Sequence, residues 1–223
     1  MTNALGALTW TDLVDRAPTL LLPLGSLEQH GPHLPLDTDT RIAVAIAEGA
    51  AARLDDVVVG PTITVGASGE HAGFPGTLSI GTDALRTMLV ELGRSADGFG
   101  RLVFVNGHGG NRDAITEAVD LLIGEGRPVS VWSPTIPGAD AHAGRTETSL
   151  LLAIAPEQVR LERAEPGALD PLERLLPALR SGGVYAVAPN GVLGDPSGAS
   201  AAEGAAMLEG LVSALVAQLR PEP

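Results

Sequence analysis

Cysteine and lysine are both absent from the 223 residues. The lack of cysteine excludes disulfide bonds, a thiol nucleophile and any zinc site with sulfur ligands, so a metal site would have to use histidine and carboxylate groups. Basic residues are few, 14 arginines against 27 acidic residues, and the formal net charge is -13. Such a chain lacks the positive surface that binds nucleic acid or anionic membranes, and we expect neither as a partner.

Long apolar runs are lacking as well. No run approaches the roughly 20 residues needed to span a bilayer, and the N-terminus has neither the basic region nor the apolar stretch of a signal peptide. We therefore expect a cytoplasmic protein. Hydrophobic residues make up 44% of the chain, which is enough for a sizeable core without disulfides. Since no repeat or linker interrupts the sequence, we predict a single domain over residues 1–223.

Short apolar runs alternate with helical stretches along the chain. The runs are nearly continuous, as in strands covered on both faces. The predicted strands are Thr19–Leu24, Val57–Val59, Thr62–Val65, Arg101–Val105 and Val129–Trp132. The predicted helices are Thr38–Leu54, Asp83–Asp97, Arg112–Gly124, Glu147–Ile154, Pro171–Leu179 and Ala199–Leu219, with Thr82 and Asn111 as N-caps. This alternation predicts an α/β fold with a mainly parallel sheet. We expect the last helix, apolar on all sides, in the core or at a subunit contact.

All five histidines lie outside the predicted helices and strands. A single histidine is more often an ordinary imidazole with one hydrogen bond than a ligand. Here, however, three of the histidine segments directly follow a predicted strand, and ligands collect outside the carboxyl ends of strands in open α/β sheets. Glycine flanks most of these histidines and permits close backbone approach. The placement favours a functional site.

The segment after the first strand contains Glu28 and His30. Side chains at positions i and i+2 of an extended segment point to the same face, so these two can converge on one centre. Asp39 stands where the next helix begins, and two carboxylates with an imidazole suit zinc, manganese or iron. The alternative is that Asp39 only interacts with the helix dipole.

A glycine-rich turn, Asn106–Asn111, carries His108. It joins the fourth predicted strand to the helix that follows. Its backbone N–H groups could instead bind an anion such as phosphate. The turn matches neither a Walker A sequence nor a dinucleotide fingerprint. A histidine at the end of a strand suits a metal better, and we favour the metal.

The last histidine segment is HAGRTETS, from His142 to Ser149. Glu147 is the first residue of a predicted apolar helix. Taken alone, Thr146 and Glu147 are better explained as a helix cap and a first-turn acid.

Together these segments resemble the creatininase (creatinine amidohydrolase) family. LGSLEQHGPHLPLDTDT, GEHAGFPGTLSI, NGHGGN and HAGRTETS match in order, from about Leu20 to about Ile154. The resemblance implies a three-layer α/β/α fold, two divalent metal ions (zinc, iron or manganese) in a cleft, and a closed homo-oligomer, either a hexamer or an octamer. It also implies that Glu28 and His108 bind one ion, that His30 binds the other and that Asp39 bridges them. His142 matches the catalytic histidine of the family.

The chain departs from the creatinine-hydrolysing members at two points. They carry a glutamate ligand two positions after the turn histidine, where this chain has Gly110, and we expect Glu147 to replace it at the metal and in catalysis. They also place tryptophans over the small substrate ring. This chain has only Trp10 and Trp132, both in predicted regular elements.

Within the family, the chain is most similar to members that cleave a short, ribosomally made precursor peptide. The tail RSGGVYAVAPNGVLGDPSGASAAEG carries much of this similarity. We therefore expect a peptidase that releases a modified C-terminal dipeptide, with His142 as proton donor and with Glu70, His71 and Gly109 binding the substrate. We also expect Ser181–Gly198 to form a binding loop. Two alternatives stay open, a hydrolase of cyclic amides or formamides and a non-catalytic phosphate-binding module.

Overall fold

The computed structural model describes residues 3–220, so the outermost residues of the predicted domain lie outside it. Its strands form a four-stranded sheet in the order β2-β1-β3-β4, with every neighbouring pair parallel. The strands are β1 (Thr19–Leu24), β2 (Val57–Val59), β3 (Arg101–Asn106) and β4 (Val129–Trp132).

Six α-helices connect and follow the strands. They are α1 (Thr38–Ala51), α2 (Thr82–Ser95), α3 (Arg112–Gly124), α4 (Arg145–Ile154), α5 (Leu172–Val187) and α6 (Ala201–Leu219). Two of the short 3₁₀ turns, Gly69–His71 and Gly109–Asn111, matter for the site described below.

Both faces of the sheet are covered by helices. Because successive side chains of a strand point to opposite faces, Leu21 and Val103 pack in one core with α1, α4 and α6. Leu20 and Phe104 pack in a second core with α2 and α3. The predicted three-layer α/β/α fold is therefore confirmed.

The strand order reverses at β1, which pairs with β2 on one side and with β3 on the other. The helix after β1 covers one face of the sheet, and the helices after β2 and β3 cover the opposite face. Between β1 and β3 the following loops diverge and leave a crevice, the usual ligand position in such sheets. Leu24 and Asn106 are in register at the ends of these strands, so both loops begin at the same level.

The predicted strand Thr62–Val65 is wrong. Only Ile63 pairs with β1, through hydrogen bonds to Pro23 and Gly25. Since β1 ends at Leu24, the segment has no strand to pair with beyond that point.

The predicted binding loop Ser181–Gly198 is wrong in its first part, because α5 runs on to Val187. The helix continues across a kink at Gly183, whose φ is +70°. A side chain there would press on the main-chain oxygen of Glu70, at 2.7 Å from an ideal Cβ. Asn190, in the remaining loop, hydrogen-bonds internally to Pro166 and Val192.

Helix ends differ from prediction by a few residues elsewhere. Thr82 is the first residue of α2, and Gly81 takes the N-cap position. Asn111 does occupy the N-cap position of α3 but makes no capping hydrogen bond with its side chain.

Helix α6 is not buried on all sides. Leu211, Leu215 and Val216 are buried, whereas Met207 and Leu208 are half-buried and the opposite face is exposed. Among residues 3–220 it is the one helix long and apolar enough to cross a membrane. In the structure its apolar face packs against α1 and α4, as a core helix does.

The crossing of α6 over α4 predicts contrasting effects of two alanine substitutions. A side chain at Gly204 would overlap the main-chain oxygen of Ser149, whereas Gly210 has open space around it. Gly204→Ala should lower the free energy of unfolding by about 1–3 kcal/mol, because the added methyl forces the helices apart. Gly210→Ala should raise it by about 0.5–1 kcal/mol through helix propensity. Denaturant unfolding measures both, and equal effects would contradict this packing.

Candidate metal centre

The five side chains predicted as metal ligands lie together at the crevice. Glu28 and His30 follow β1, His108 follows β3, and Asp39 and Glu147 stand in the first turns of α1 and α4. The first four are buried. The Glu147 side chain is 21% exposed and faces the cleft. Residues distant in the sequence thus converge as the sequence predicted.

Asp39 stands at the centre of this group. Its Oδ1 lies 3.1 Å from His30 Nε2, and its Oδ2 lies 3.0 Å from His108 Nδ1. Ser26 Oγ donates a hydrogen bond of 2.9 Å to Oδ2. The two carboxylate oxygens therefore face two different histidines, as a carboxylate shared between two ions would.

Two sets of side chains have the spacing of metal ligands. One consists of Glu28, Asp39 and His108, and the other of His30, Asp39 and Glu147, and within each set the ligand atoms lie within 4.8 Å of one another. Asp39 belongs to both. A third set, Glu28 with His30 and His142, overlaps them.

Glu28 gives an independent indication of a cation site. Both of its carboxylate oxygens are fully buried, and neither makes a hydrogen bond. The nearest nitrogens are His108 Nε2 at 3.1 Å and His71 Nε2 at 3.2 Å. A buried carboxylate without hydrogen bonds is unfavourable unless it binds a metal ion or is neutralised. The residues present therefore fit a divalent ion at this position.

The charges around Asp39 shift the pKa of each partner. Burial would lower the pKa of His30, but the charge and hydrogen bond of Asp39 outweigh it and raise the value to about 10. Burial likewise would lower the pKa of His108, and the charge of Glu28 with the hydrogen bond of Asp39 raises it to about 9. Burial would raise the pKa of Asp39, yet the two histidines hold it well below its usual value. In the metal-free protein both imidazoles thus carry a proton at neutral pH.

The pKa values of the other two carboxylates, Glu28 and Glu147, are raised and not lowered. Burial raises the pKa of Glu28 to about 7, against the opposing charge of His108. Burial also raises the pKa of Glu147 to about 7, against the charge of His30. Both groups are easily protonated near neutral pH because they share the cluster with Asp39, and bound cations would keep them ionised.

The NGHGGN turn serves to place His108. The Asn106 side chain donates to the His108 oxygen at 2.8 Å, and its own oxygen accepts from the His108 N–H. Asn111 donates to the Gly25 oxygen and accepts from the Ala67 N–H, which ties the turn to the loops after β1 and β2. With two carboxylates 3.0 to 3.1 Å from its imidazole nitrogens, His108 lies where a phosphate would be repelled. The geometry disfavours the phosphate-binding alternative.

The turn before α4 is strained, and Glu147 stabilises it. Ala143 has a φ of +52°, an uncommon value for a residue with a side chain. Its N–H donates to Glu147 Oε2 at 2.6 Å, and the same oxygen lies 4.0 Å from His30 Nε2. Glu147 is therefore a first-turn acid and also a member of the candidate metal set.

Position 110 is closed to any side chain. A Cβ on Gly110 would overlap Glu70 Oε1 and His108 Nε2. Glu70 Oε1 lies 3.5 Å from His108 Nε2, so its carboxylate fills this space. Unlike Glu147, Glu70 belongs to none of the metal sets found among residues 3–220.

His71 and His142 complete the cluster, together with Gln29, a residue that the sequence analysis missed. The Gln29 side-chain nitrogen lies 2.9 Å from His71 Nδ1 and 3.1 Å from His142 Nε2. The one signal for it in the sequence is its place between Glu28 and His30. His71 was expected at the substrate, and it lines the cleft but also approaches Glu28.

His142 is neutral in this setting. Burial, reinforced by the charges of His30 and His71, holds its pKa well below the ordinary value. To protonate a leaving group, His142 must first accept a proton.

Two cavities flank the cluster. One has a volume of about 550 Å³ and lies between Glu70, His71 and His142 on one side and α5 on the other. The second, of about 410 Å³, lies towards Ser133 and Asp140. Both are bordered by His108, Gly109 and Glu147. Members of the candidate metal sets therefore border both cavities.

Residues 6–219 match the creatininase family, described as creatinine amidohydrolase. The chain belongs to the creatininase family. It is 53% identical to the mycofactocin precursor peptide peptidase of Mycobacterium tuberculosis, over 98% of this chain and 92% of that protein. The predicted family is thus confirmed.

Solved creatininases have the same fold. A creatininase with Mn superposes with a TM-score of 0.84 at 27% identity, covering 99% of this chain and 98% of its own. A variant creatininase of Zn-Zn type gives a TM-score of 0.84 at 27% identity, with the same coverage. The family thus includes a protein with two metal ions, and two of the three candidate ligand sets in this chain share Asp39.

Metal binding to this creatininase-family protein should release protons. In the metal-free protein the pKa of His30 is about 10 and that of His108 about 9, so both are protonated at pH 7.5. Metal ions need neutral imidazoles, so loading with Mn²⁺ should release about two protons. The affinity should rise with pH by roughly tenfold per pH unit for each proton released, steeply up to about pH 9 and less steeply from there to about pH 10. Calorimetry in buffers of different ionisation enthalpy counts the protons. Binding without proton release would contradict the assignment.

Proposed function

We propose that this chain is a dinuclear metal peptidase that acts on the mycofactocin precursor peptide and releases its modified C-terminal dipeptide. The identity of 53% over 98% of the chain supports this substrate, against 27% to the solved Mn creatininase. The observation that carries the chemistry is Asp39, whose two oxygens each face a different set of metal-binding side chains.

The roles of the ligands follow from this arrangement. Glu28 and His108 would hold one ion, His30 and Glu147 the other, and Asp39 would hold both. When bound, a pair of divalent ions lowers the pKa of water and polarises the scissile carbonyl. Zinc, iron and manganese all suit a site made of histidine and carboxylate groups.

His142 would move a proton between water and the leaving amine. Its Nε2 lies 2.9 Å from the Gln29 main-chain oxygen, which can only accept. The neutral ring therefore carries its proton on Nε2, and Nδ1, 3.9 Å from Glu28 Oε1, is free to accept. His142 would take a proton from water at Nδ1 and return it to the amine nitrogen as the amide bond breaks.

The cleft suits an extended peptide. Because the cavities of about 550 and 410 Å³ share His108 and Glu147, chain on both sides of a scissile bond can be accommodated. Leu172, Leu176 and Leu179 of α5 form an apolar wall, and Arg112 and Arg180 stand beside it. Glu70 and Gly109 line the same cavity and remain our proposed substrate contacts.

The cleft is less suited to binding a small ring such as creatinine. Trp10 is 78% exposed in a 3₁₀ turn, and Trp132 is buried at the end of β4. Neither borders the two cavities at the metal centre. The aromatic cover expected over a small ring is therefore not formed by tryptophan.

Metal counts of single variants test the ligand roles. Asp39→Asn should lose both ions, because each set depends on that carboxylate. Glu147→Gln should lose one ion and stay folded, since the amide oxygen can still accept from the Ala143 N–H. Inductively coupled plasma mass spectrometry on purified, reloaded protein gives the counts.

Glu70→Gln is the matched control, because it removes a carboxylate from the same cleft but from neither metal set. It should keep two ions. Two ions in Glu147→Gln, or one in Glu70→Gln, would exchange the roles of the two glutamates.

The substrate is tested with the metal-loaded protein, the precursor peptide before and after modification of its C-terminus, and creatinine. We expect cleavage near the modified C-terminus, little cleavage of the unmodified peptide and no creatinine turnover, with chelation abolishing activity. Mass spectrometry identifies the fragments.

His142→Asn serves as the control for mechanism. It should keep both ions and slow peptide cleavage by about 10²–10⁴-fold, the usual scale of general acid–base catalysis. Rapid creatinine turnover with an intact peptide would overturn the substrate assignment.

Cytoplasmic location, a single domain and a hexamer or octamer remain predictions from the sequence.

A further inference from the structure

The side chain of Gln29 lies at the meeting point of four loops around the metal centre. It is buried, with 5% of its surface exposed, and it approaches His71, His142, Gly31 and Gly191. The proposed mechanism uses the main-chain oxygen of Gln29 but assigns no task to its side chain. A buried amide that contacts two active-site imidazoles can determine which of their nitrogens carries the proton.

The orientation of the amide is fixed by groups that have a single hydrogen-bonding role. The Gly31 N–H can only donate, and it lies 2.9 Å from Gln29 Oε1. The Gly191 main-chain oxygen can only accept, and it lies 3.0 Å from Nε2. A flipped amide would lose both hydrogen bonds, so Nε2 faces the histidines.

The amide then determines the tautomer of His71. Of its two N–H groups, one donates to the Gly191 oxygen. His142 Nε2, 3.1 Å away, donates to the Gln29 main-chain oxygen and so cannot accept the second. The second N–H is therefore left for His71 Nδ1, at 2.9 Å. In a neutral ring Nδ1 must therefore accept, and Nε2 carries the proton. That Nε2–H lies 3.2 Å from Glu28 Oε1 at the metal centre.

The main-chain oxygen of the same residue determines the tautomer of His142. It accepts from His142 Nε2 at 2.9 Å, which leaves Nδ1 without a proton and turned towards Glu28. One residue thus gives its two neighbours opposite functions at the site, since His71 presents an N–H and His142 presents a lone pair.

Glycine at position 191 is a requirement of this contact. A Cβ there would overlap Gln29 Oε1, and the φ of Gly191 is +79°. The loop before α6 therefore approaches the amide as closely as it does only because residue 191 lacks a side chain.

We infer that Gln29 is a positioning residue that makes His71 present an N–H, and His142 a proton-accepting lone pair, towards Glu28 at the metal centre. The inference adds a role to the proposed peptidase but does not depend on which peptide is cleaved. It is decided by the protonation pattern of two histidine rings, which can be measured without substrate.

The test is ¹⁵N NMR of the zinc-loaded, histidine-labelled protein. With five histidines in the chain, the signals can be assigned from His71→Asn and His142→Asn spectra. Wild-type protein should show the Nε2–H form of both rings. In Gln29→Glu the new carboxylate can only accept, so His71 should change to the Nδ1–H form while His142 keeps its proton on Nε2.

Activity provides the second measurement. Gln29→Glu should keep two zinc ions and lower kcat by roughly 10- to 100-fold with little change in KM, the usual loss on removing a group that orients a metal-centre side chain. Gln29→Met, which has similar size but no hydrogen bonds, should mix the tautomers of His71. Gln158→Glu, on an exposed glutamine, is the matched control and should change neither measurement.

A wild-type His71 with its proton on Nδ1 would overturn the inference, even if no variant folds. Unchanged tautomers and kcat in Gln29→Glu and Gln29→Met would overturn it as well. If the wild-type tautomers are as expected but the precursor peptide is not cleaved, the proposed function fails and the role of Gln29 stands.

Discussion

The Asp39 carboxylate is the group on which the rest of the site depends. Each oxygen faces a different histidine, at 3.0 and 3.1 Å, inside a cluster that also encloses Glu28 and Glu147. Three acidic side chains cannot remain ionised in such an enclosed space without positive charge beside them. Protons on His30 and His108 supply that charge in the metal-free protein, and two divalent ions would supply more of it. The same geometry therefore explains both the raised pKa values of the histidines and the fit to a metal pair.

The parallel sheet explains how these residues meet. Because the strand order reverses between β1 and β3, their following loops separate, and side chains from both loops and from the first turn of α1 enter one crevice. Asp39 also lies at the N-terminal end of α1, where the helix dipole favours a negative charge. Side chains of β1 and β3 are packed in the two cores, so the loops that carry the candidate ligands start from a well-packed scaffold.

Periodicity predicted four of the strands and an α/β fold with a mainly parallel sheet, and short-range geometry placed Glu28 and His30 on one face. The three layers and the shared site with Asp39 and His108 were implied by the resemblance to the creatininase family. Ile63 shows one limit of prediction from sequence patterns. Its β-branched neighbours suggest a strand, but the length of that strand depends on where its partner β1 ends. Gln29 shows another, because its partner Gly191 lies 162 positions away and no local pattern marks the pair. Glu70 is a third case, since its proximity to His108 depends on how the Gly69–His71 turn packs beneath the kink of α5.

The candidate metal ligands and the apolar wall of the substrate cleft come from different elements of the fold, although the two are in contact. The candidate metal ligands come from the loops after β1 and β3 and from the first turns of α1 and α4, whereas the apolar wall of the cleft comes from α5, which contributes no candidate ligand. Exchange of α5 could therefore alter the substrate while the metal pair persists. Two glycines limit that freedom. Gly183 brings α5 onto the backbone of Glu70, and Gly191 brings the next loop onto Gln29. A change in α5 or in the loop after it would therefore also shift Glu70 or Gln29, and through them His71 and His142. The residues that line the substrate cleft and these two histidines must therefore change together.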